Sequence, residues 1–257
     1  MSLHAYEHPQ SALSLFQRGC IQYGDAIFRS QFNLVGSPYH LLLGQPMVLP
    51  AQTISVPANL GTTISFGGPT VGDVDIQWLS TRLQNLMGKL HISTTTLPIF
   101  VTEDTYAYLL RNPLNCCVGG FHGAGSVPSK TGGNLGNNGN APIQTYAWAS
   151  YGTAEVFPQS TFSLDINAIS HEVSEWQDDP FVQNVVPAWS VPAEAQYGCS
   201  NSLETGDPLV GVSFSEDGYN PQDEAFFSWF ARQSRRSPKA VATPTWAPLP
   251  RQRRAAN

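Results

Sequence analysis

The spacing of apolar residues between Val74 and Leu90 predicts an amphipathic helix. Apolar side chains recur at positions 76, 79, 83, 86, 87 and 90, and this spacing places them on one face of a helix. Gly88 lies near the end of the run and is a natural stop signal. We therefore expect one well-formed helix in the first half of the chain.

Short apolar runs interrupted by Gly and Pro predict strands on either side of this helix. The upstream candidates are Phe32–Val35, Tyr39–Leu43, Met47–Leu49 and Thr53–Val56. The downstream candidates are Leu97–Thr102, Cys116–His122 and Gln144–Tyr151. A short helix over Ala12–Phe16 is expected to lead into the first strand, and residues 123–141, rich in Gly, Asn and Ser, are expected to form a long loop.

A second helix is predicted between residues 160 and 180. The candidates for its N-terminal cap are Ser160, Thr161 and Ser163. Pro180 cannot continue a helix, so about four turns fit before it. Ile169, Val173 and Trp176 are spaced at i, i+4 and i+7, and this apolar stripe is expected to dock the helix on the sheet.

The last part of the chain has a weaker pattern. Residues 181–219 show little periodicity, and a final helix is predicted over Pro221–Gln233, with Pro at its first position and two acids in its first turn. The composition then shifts to Arg, Pro, Ala and Thr, which predicts a disordered basic tail over residues 232–257.

These elements predict a single α+β domain over residues 1–231. Its upper part, about residues 31–180, is expected to be a mixed twisted sheet with one helix before it and a second helix packed on it. Its lower part, about residues 181–231, is expected to be an irregular subdomain.

Composition points to an exported protein without a broad basic surface. Charged residues make up only 12% of the 257 residues, roughly half of the usual share. Residues 1–231 hold six basic and all nineteen acidic residues, a net charge of −13, which argues against nucleic-acid binding. The chain has no cationic start followed by an apolar run and no apolar run of about 18 residues, so neither a signal peptide nor a membrane span is expected. An extracellular or cell-envelope location is therefore expected from composition alone.

The cysteines leave the redox state open. They are Cys20, Cys116, Cys117 and Cys199, and no CxxC pair occurs. Adjacent cysteines seldom bond each other without strain, so in an exported protein we expect a disulfide from Cys116 or Cys117 to Cys199. Buried free thiols are an equal alternative.

The helix predicted before Pro180 contains the string Ile169-Ser-His-Glu-Val-Ser-Glu-Trp176, in which His171 and Glu175 are four residues apart. On a helix these two side chains lie one above the other, about 6 Å apart along the axis. Imidazole and carboxylate are both zinc ligands, so the pair can bind one metal ion. Glu172 is rotated by about 100 degrees from His171, which makes it the candidate general base for a metal-bound water.

This arrangement differs from the HExxH motif of metallopeptidases, because Glu175 stands where the second histidine would be. One imidazole and two carboxylates make a harder, more anionic site, so zinc is expected and another divalent cation is an alternative. A competing interpretation is that His171 forms hydrogen bonds within the core while Glu172 and Glu175 belong to a solvated helix face.

A third ligand is expected from the irregular region downstream. The segment Cys199–Pro208 offers Glu204 and Asp207, and Glu204 is favoured because a Gly and a Pro after it predict a rigid turn. His122, at the end of a predicted strand, is the upstream competitor. For His122 we favour a hydrogen bond to the backbone over metal ligation.

The chain resembles the zincin-like metallopeptidases, and specifically their HExxE variants with a third carboxylate downstream. The string Ser170–Pro180 and the later Glu204-Thr-Gly-Asp207 carry this resemblance. The chain is also similar to the phosphate-induced, EXORDIUM-like plant and microbial proteins, in which a Ser-His-Glu segment ends in Asp-Pro. The resemblance, over about residues 90–230, implies a sheet with an active-site helix, a zinc ion and a peptide or protein substrate.

Three functions are therefore weighed, and the oligomeric state is left open. In a zinc-dependent hydrolase, most simply a peptidase, His171, Glu175 and Glu204 would hold the metal. Glu172 would activate the water. A non-catalytic extracellular or cell-wall binding protein would keep the same residues as a structural metal site. A serine hydrolase would use Ser126, but the Gly-x-Ser-x-Gly elbow is absent.

Overall fold

The computed structural model describes residues 22–32, 40–126, 142–158, 160–191 and 200–232. Helices and strands are mixed in this part of the chain, as the α+β prediction requires. The predicted helix Ala12–Phe16, the loop from residue 127 onwards, Cys20, Cys199 and the tail from residue 233 lie outside the described residues. None of the described helices is both long and apolar enough to cross a membrane.

The described residues form four α-helices and nine strands. The helices are α1 (Tyr23–Gln31), α2 (Ile76–Leu90), α3 (Asn167–Asp178) and α4 (Phe227–Phe230). The strands are β1 (Gly61–Ser65), β2 (Thr70–Asp75), β3 (Ile99–Glu103), β4 (Thr105–Tyr108), β5 (Cys116–Val118), β6 (Gly120–Ser126), β7 (Ile143–Tyr151), β8 (Val185–Trp189) and β9 (Ser200–Ser202).

The strands form two mixed sheets and one hairpin-like pair. The first sheet has the order β1-β2-β4-β5, and only the β2–β4 pair is parallel. The second sheet has the order β3-β7-β6, with β3 parallel and β6 antiparallel to β7. The two sheets meet at Gly119, between β5 and β6, where the Ser150 N–H donates to the Gly119 carbonyl at 2.7 Å. Strands β8 and β9 pair separately in the C-terminal part.

Helix α2 confirms the first predicted helix, with its start moved by two residues. Val74 and Asp75 end β2, and the Asp75 side chain caps the helix by accepting a hydrogen bond from Trp78 N. Leu79, Leu83 and Met87 are buried in the main core with Tyr146 and Trp148 of β7. The apolar spacing therefore identified the face that covers the sheet.

Several predicted elements are wrong. Between residues 40 and 56 the structure has only a single β-bridge, at Ser55, since the prolines of this region lack the N–H groups that a ladder needs. The helix α1 and the strands β1, β2, β4, β8 and β9 were not predicted. Residues 123–126, which were expected to begin the long loop, continue strand β6. The helix predicted from Pro221 is confined to Phe227–Phe230. Before it, the chain is extended because its N–H groups bond to distant partners, such as Asp223 N to the Val212 carbonyl.

Helix α3 starts later than its candidate caps and ends where the sequence predicts. Ser163 and Asp165 have positive φ values of 54 and 44 degrees, a conformation that interrupts a helix. The first helical residue is therefore Asn167, and its side chain accepts a hydrogen bond from Ser163 N. The helix ends at Asp178, two residues before Pro180.

The disulfide prediction is corrected by strand β5. Cys116 and Cys117 are bonded to each other, whereas a bond to Cys199 was expected. The expectation rested on the strain of a bond between adjacent cysteines, and in the structure these two residues are joined by a cis peptide.

Asp73 of β2 gives the fold a pH-dependent stability. It is fully buried, its carboxylate is bonded to no side chain among the described residues, and burial outweighs a contact with the Val74 backbone and raises its pKa to about 7. The folded state therefore holds this proton more tightly than the unfolded chain, and stability is lost as the pH rises from about 4 to about 7. In Asp73→Asn this loss should disappear, so its advantage in Tm over the wild type should be larger at about pH 8 than at about pH 5. An equal difference at both pH values would contradict this assignment.

Candidate metal centre

Helix α3 holds three polar residues of the HExxE string in the interior of the protein. His171, Glu172 and Glu175 are only 8%, 5% and 3% exposed. The helix packs on β6 and β7, with Val173 buried and the Trp176 indole N–H bonded to Thr145 Oγ1 of β7. The interpretation of a solvated helix face is therefore wrong for both glutamates, and the predicted docking of α3 on the sheet is confirmed.

His122 of β6 joins this group from the sheet. Its Nδ1 lies 3.3 Å from Glu172 Oε2 and 3.6 Å from Glu175 Oε2. Its Nε2 lies 3.1 Å from the Asp179 carbonyl, and since a carbonyl only accepts, Nε2 carries the proton. A histidine whose second nitrogen donates to a carbonyl has its other nitrogen fixed for ligation. The backbone contact expected of His122 exists, and it directs Nδ1 toward the carboxylates.

Glu204 comes from the segment after β9 and lies close to His122 and Glu175. Its Oε2 is 3.9 Å from His122 Nε2, and its carboxyl group is within hydrogen-bonding reach of the Glu175 carboxyl. Two carboxyl groups this close need a proton or a cation between them. The downstream acid chosen from the sequence therefore does reach the group on α3.

His171 is held from both sides. Its Nε2 lies 3.0 Å from Glu175 Oε2 and 3.6 Å from Asp207 Oδ1. Its Nδ1 lies 2.8 Å from Gln222 Nε2, which also donates to the Gly206 carbonyl at 2.8 Å. In this arrangement His171 Nδ1 accepts a hydrogen bond from Gln222 Nε2. His171 Nε2 carries the proton that points at Glu175. Metal ligation through Nε2 would require the Gln222 amide to turn over, so that its oxygen accepts from Nδ1–H.

There are two groups of side chains, and in each group the ligand atoms lie close enough together to bind one ion. His122, Glu175 and Glu204 form one group, and His171, Glu172 and Glu175 form the other, each with all ligand atoms within 4.8 Å of one another. Glu175 belongs to both. The predicted ligand set takes His171 from the second group and Glu204 from the first, so its three side chains do not form one such group among the described residues. The structure adds His122 as a direct competitor of His171.

The second carboxylate oxygen of Glu175 is bonded to the backbone. Glu175 Oε1 accepts hydrogen bonds from Gly206 N at 3.0 Å and Asp207 N at 3.3 Å. The same side chain therefore presents one oxygen to the imidazoles and fixes the downstream loop with the other. This contact couples the position of Glu204 to helix α3.

The electrostatics of the group are dominated by burial and by crowded carboxylates. Burial raises the pKa of Glu172 and, with the charge of Glu175, raises the pKa of Glu204 to about 11. Burial acts in the same direction on Glu175, but the charge and hydrogen bond of His171 outweigh it and lower its pKa. Burial would lower the pKa of His171 and His122, yet the nearby carboxylates raise both. The site thus contains four carboxyl groups, those of Glu172, Glu175, Glu204 and Asp207, but only the two imidazoles of His122 and His171.

Two glycines make room for the reactive side chains. A Cβ at Gly120 would lie 2.6 Å from Glu172 Cγ, and a Cβ at Gly206 would lie 2.7 Å from His171 Nδ1. Real Cβ atoms do not approach other atoms so closely. Both glycines are therefore needed for the approach of strand and loop to α3.

A cleft of about 610 Å³ reaches the group from the surface. His171, Glu172 and Asp207 line its polar end, while Glu175 and Glu204 do not line it. Its apolar walls include Phe66, Val118, Phe157, Phe162 and Val210. A ligand in the cleft would therefore meet Glu172 and His171 first. Ser126, the alternative nucleophile, is exposed at the end of β6 and bonds to no histidine among the described residues.

Two features of the site were not predicted from the sequence: the contact of Gln222 with His171, and the orientation of His122 toward the carboxylates. Gln222 is fully buried and lies in the segment that was predicted to be helical, so no periodic signal pointed to it. His122 could have been identified from its surroundings, since the glycines around it in the strand leave space for a neighbouring helix.

No family model, curated protein or solved structure matches this chain. The functional assignment therefore depends on the geometry of the site.

Proposed function

We propose that the protein is a divalent-metal-dependent hydrolase, with zinc as the first candidate metal and a peptide or protein as the substrate. The observation that carries the proposal is the convergence of two imidazoles and four carboxyl groups, of which His171, Glu172 and Asp207 also line a cleft. Within it, the carboxyl groups of Glu175 and Glu204 are in hydrogen-bonding reach of each other. Buried like charges at such a distance are costly unless a cation or a proton compensates them.

The donor set fits zinc or a similar divalent ion. Imidazole nitrogen and carboxylate oxygen are both zinc donors, and the retained ligand proposal is His171, Glu175 and Glu204. The competing set replaces His171 with His122, whose Nδ1 already faces Glu175. Both sets contain Glu175 and Glu204, so the choice of histidine is the open question of the proposal.

Glu172 is the proposed general base. It lines the cleft, so its carboxylate can meet a water and a substrate that the buried Glu175 cannot. His122 Nδ1, at 3.3 Å from Glu172 Oε2, orients the carboxylate. A metal at this site would lower the pKa of a water and polarise a carbonyl group. Glu172 would accept the proton that this water loses.

The walls of the cleft support a peptide with an apolar residue beside the scissile bond. Phe157 packs against Phe66 and Phe162 with ring centroids 4.8 and 5.0 Å apart, which gives a preformed aromatic surface. Strand β5, whose Val118 also lines the cleft, is the edge of its sheet. An extended peptide can pair with such an edge. The resemblance to HExxE zincins and the expected export agree with this substrate class.

A second candidate is a non-catalytic binding protein in which the metal is structural. The two backbone hydrogen bonds that Glu175 accepts from the Gly206 loop favour it, because they show the site residue holding the fold together. In that protein the loss of Glu172 would leave ligand binding and metal content unchanged. Hydrolysis therefore separates the two candidates.

The first test measures bound metal by elemental analysis and peptide hydrolysis with and without a chelator. Stoichiometric metal and chelator-sensitive hydrolysis are expected. The variants His171→Ala and His122→Ala then identify the histidine ligand: His171→Ala should lose the metal, and His122→Ala should keep it with reduced turnover. The reverse result would assign the ligand role to His122, and a metal-free protein that hydrolyses peptides despite chelator would overturn the proposal.

A further inference from the structure

A second set of buried polar side chains lies beside the candidate metal centre. We call it the inner acid cluster: Gln31 of α1, Asp178 of α3, and Thr205 and Glu224 of the C-terminal part. Thr205 and Glu224 are brought together because Ala225 N donates to the Thr205 carbonyl at 2.8 Å. Gln31, Thr205 and Glu224 are each 0% exposed. The cluster therefore joins four separate segments of the chain in the interior.

The hydroxyl of Thr205 is the centre of the cluster. It accepts a hydrogen bond from Gln31 Nε2 at 3.0 Å and donates to Asp178 Oδ2 at 2.9 Å. Four oxygens are left over: Gln31 Oε1, Asp178 Oδ1 and both carboxylate oxygens of Glu224. These atoms are inaccessible to solvent and make no hydrogen bond of good geometry with the described residues, although Thr205 lies close enough to Glu224, and Gln31 close enough to Asp178, to stabilise the charged carboxylates.

Such a set of oxygens requires a compensating group. Buried acceptors without donors are rare in native proteins, and buried carboxylates without a counter-charge are rarer still. The charges that act on Glu224 include those of Glu175 and Asp178, which repel its own charge. The positive contribution comes from His171, which Glu175 already engages at 3.0 Å. Among the described residues, the cluster thus has no cation of its own.

We propose that the inner acid cluster binds a second divalent cation of the calcium class. The available donors are all oxygens, with no imidazole or thiolate, which favours Ca²⁺ over zinc. Two carboxylates, the Gln31 amide oxygen and the Thr205 hydroxyl supply up to six donor atoms, within the range of about six to eight that Ca²⁺ takes. The ion would tie α1 and α3 to the segment that carries Glu204.

Binding of Ca²⁺ by the inner acid cluster does not depend on hydrolysis. This proposal and the proposed hydrolase function can therefore fail separately. The protein is stripped with a chelator, and its Tm is followed while Ca²⁺ is added. At a concentration about 100-fold above the Kd, Ca²⁺ should raise the Tm by about 5–10 °C. The variant Glu175→Gln, which alters the first site, should still respond to Ca²⁺, with a shifted midpoint because the Glu175 charge also acts on Asp178 and Glu224.

Glu224→Gln and Asp178→Asn are the decisive variants, and Glu155→Gln, an exposed acid, is the matched control. Glu224→Gln should lose the response to Ca²⁺ and, in chelator, should be at least as stable as the wild type, because the amide buries no charge. Asp178→Asn should weaken the response, and Glu155→Gln should keep it. A wild-type Tm that ignores Ca²⁺, or a full response that persists in Glu224→Gln, would overturn the second site and indicate that the acids are simply protonated.

Discussion

Replacing Glu172 with Gln is expected to lower kcat by about 10²- to 10⁴-fold and to leave the bound metal in place. The amide has the same shape but cannot accept a proton from water. Glu172 lines the cleft beside the candidate metal centre, whereas Glu175 and Glu204 do not. Steady-state hydrolysis of a mixed peptide library, with products identified by mass spectrometry, and metal content by elemental analysis measure the two effects.

Glu155→Gln is the control for this experiment, because it makes the same chemical change at an exposed position. It should leave both kcat and metal content unchanged. If Glu172→Gln retained full turnover, Glu172 would not be the base. If neither protein hydrolysed any peptide while both held metal, the binding-protein candidate would be favoured.

Replacing Gly206 with Ala is expected to damage both stability and the metal centre. The added Cβ would lie 2.7 Å from His171 Nδ1 and 2.9 Å from Gln222 Nε2, two buried groups that bond to each other. Overpacking of this kind typically costs about 1–3 kcal/mol, and each kcal/mol lowers the Tm by about 2–4 °C in a chain of this size. Displacement of His171 should also reduce metal affinity, measured by competition with a chromogenic chelator.

Gly88→Ala is the matched control. Gly88 lies within α2, and its added Cβ would meet no atom within 4 Å. This variant should therefore be stabilised by about 0.5–1 kcal/mol through helix propensity. A Gly206→Ala protein with wild-type Tm and metal affinity would show that His171 and Gln222 can move apart freely.

The helical parts of the site followed from local sequence rules. The apolar spacing and Pro180 located α3, and the i, i+4 relation brought His171 next to Glu175 at 3.0 Å. Even there, the start of the helix was misplaced, because the positive φ of Ser163 and Asp165 is set by contacts with residues far away in sequence. Asp165, for example, accepts a hydrogen bond from Asn220 N at 3.0 Å.

The parts of the site that depend on long-range packing could not be derived in the same way. His122 faces Glu172 across 50 residues of sequence, and Gln222 reaches His171 across 51. The sequence around His122 predicts that this residue lies in a strand, but it does not predict which element packs over it. Glu204 was identified only because a third ligand was required, and its distance from the imidazoles is set by the hydrogen bonds of the Gly206 loop to Glu175.

The hydrogen bond from Gln31 to Thr205 sets a minimum time for completing this protein in the cell. The two residues are 174 positions apart, and ribosomes add about 5–20 residues per second. Helix α1 therefore waits roughly 10–35 s after its synthesis before its partner emerges. Until α3, which α1 contacts in the finished fold, has been synthesised, α1 and its buried residues Ile27 and Phe28 lack part of their native surroundings. Helix α1 is thus exposed to chaperones and proteases while much of the described chain is still being synthesised.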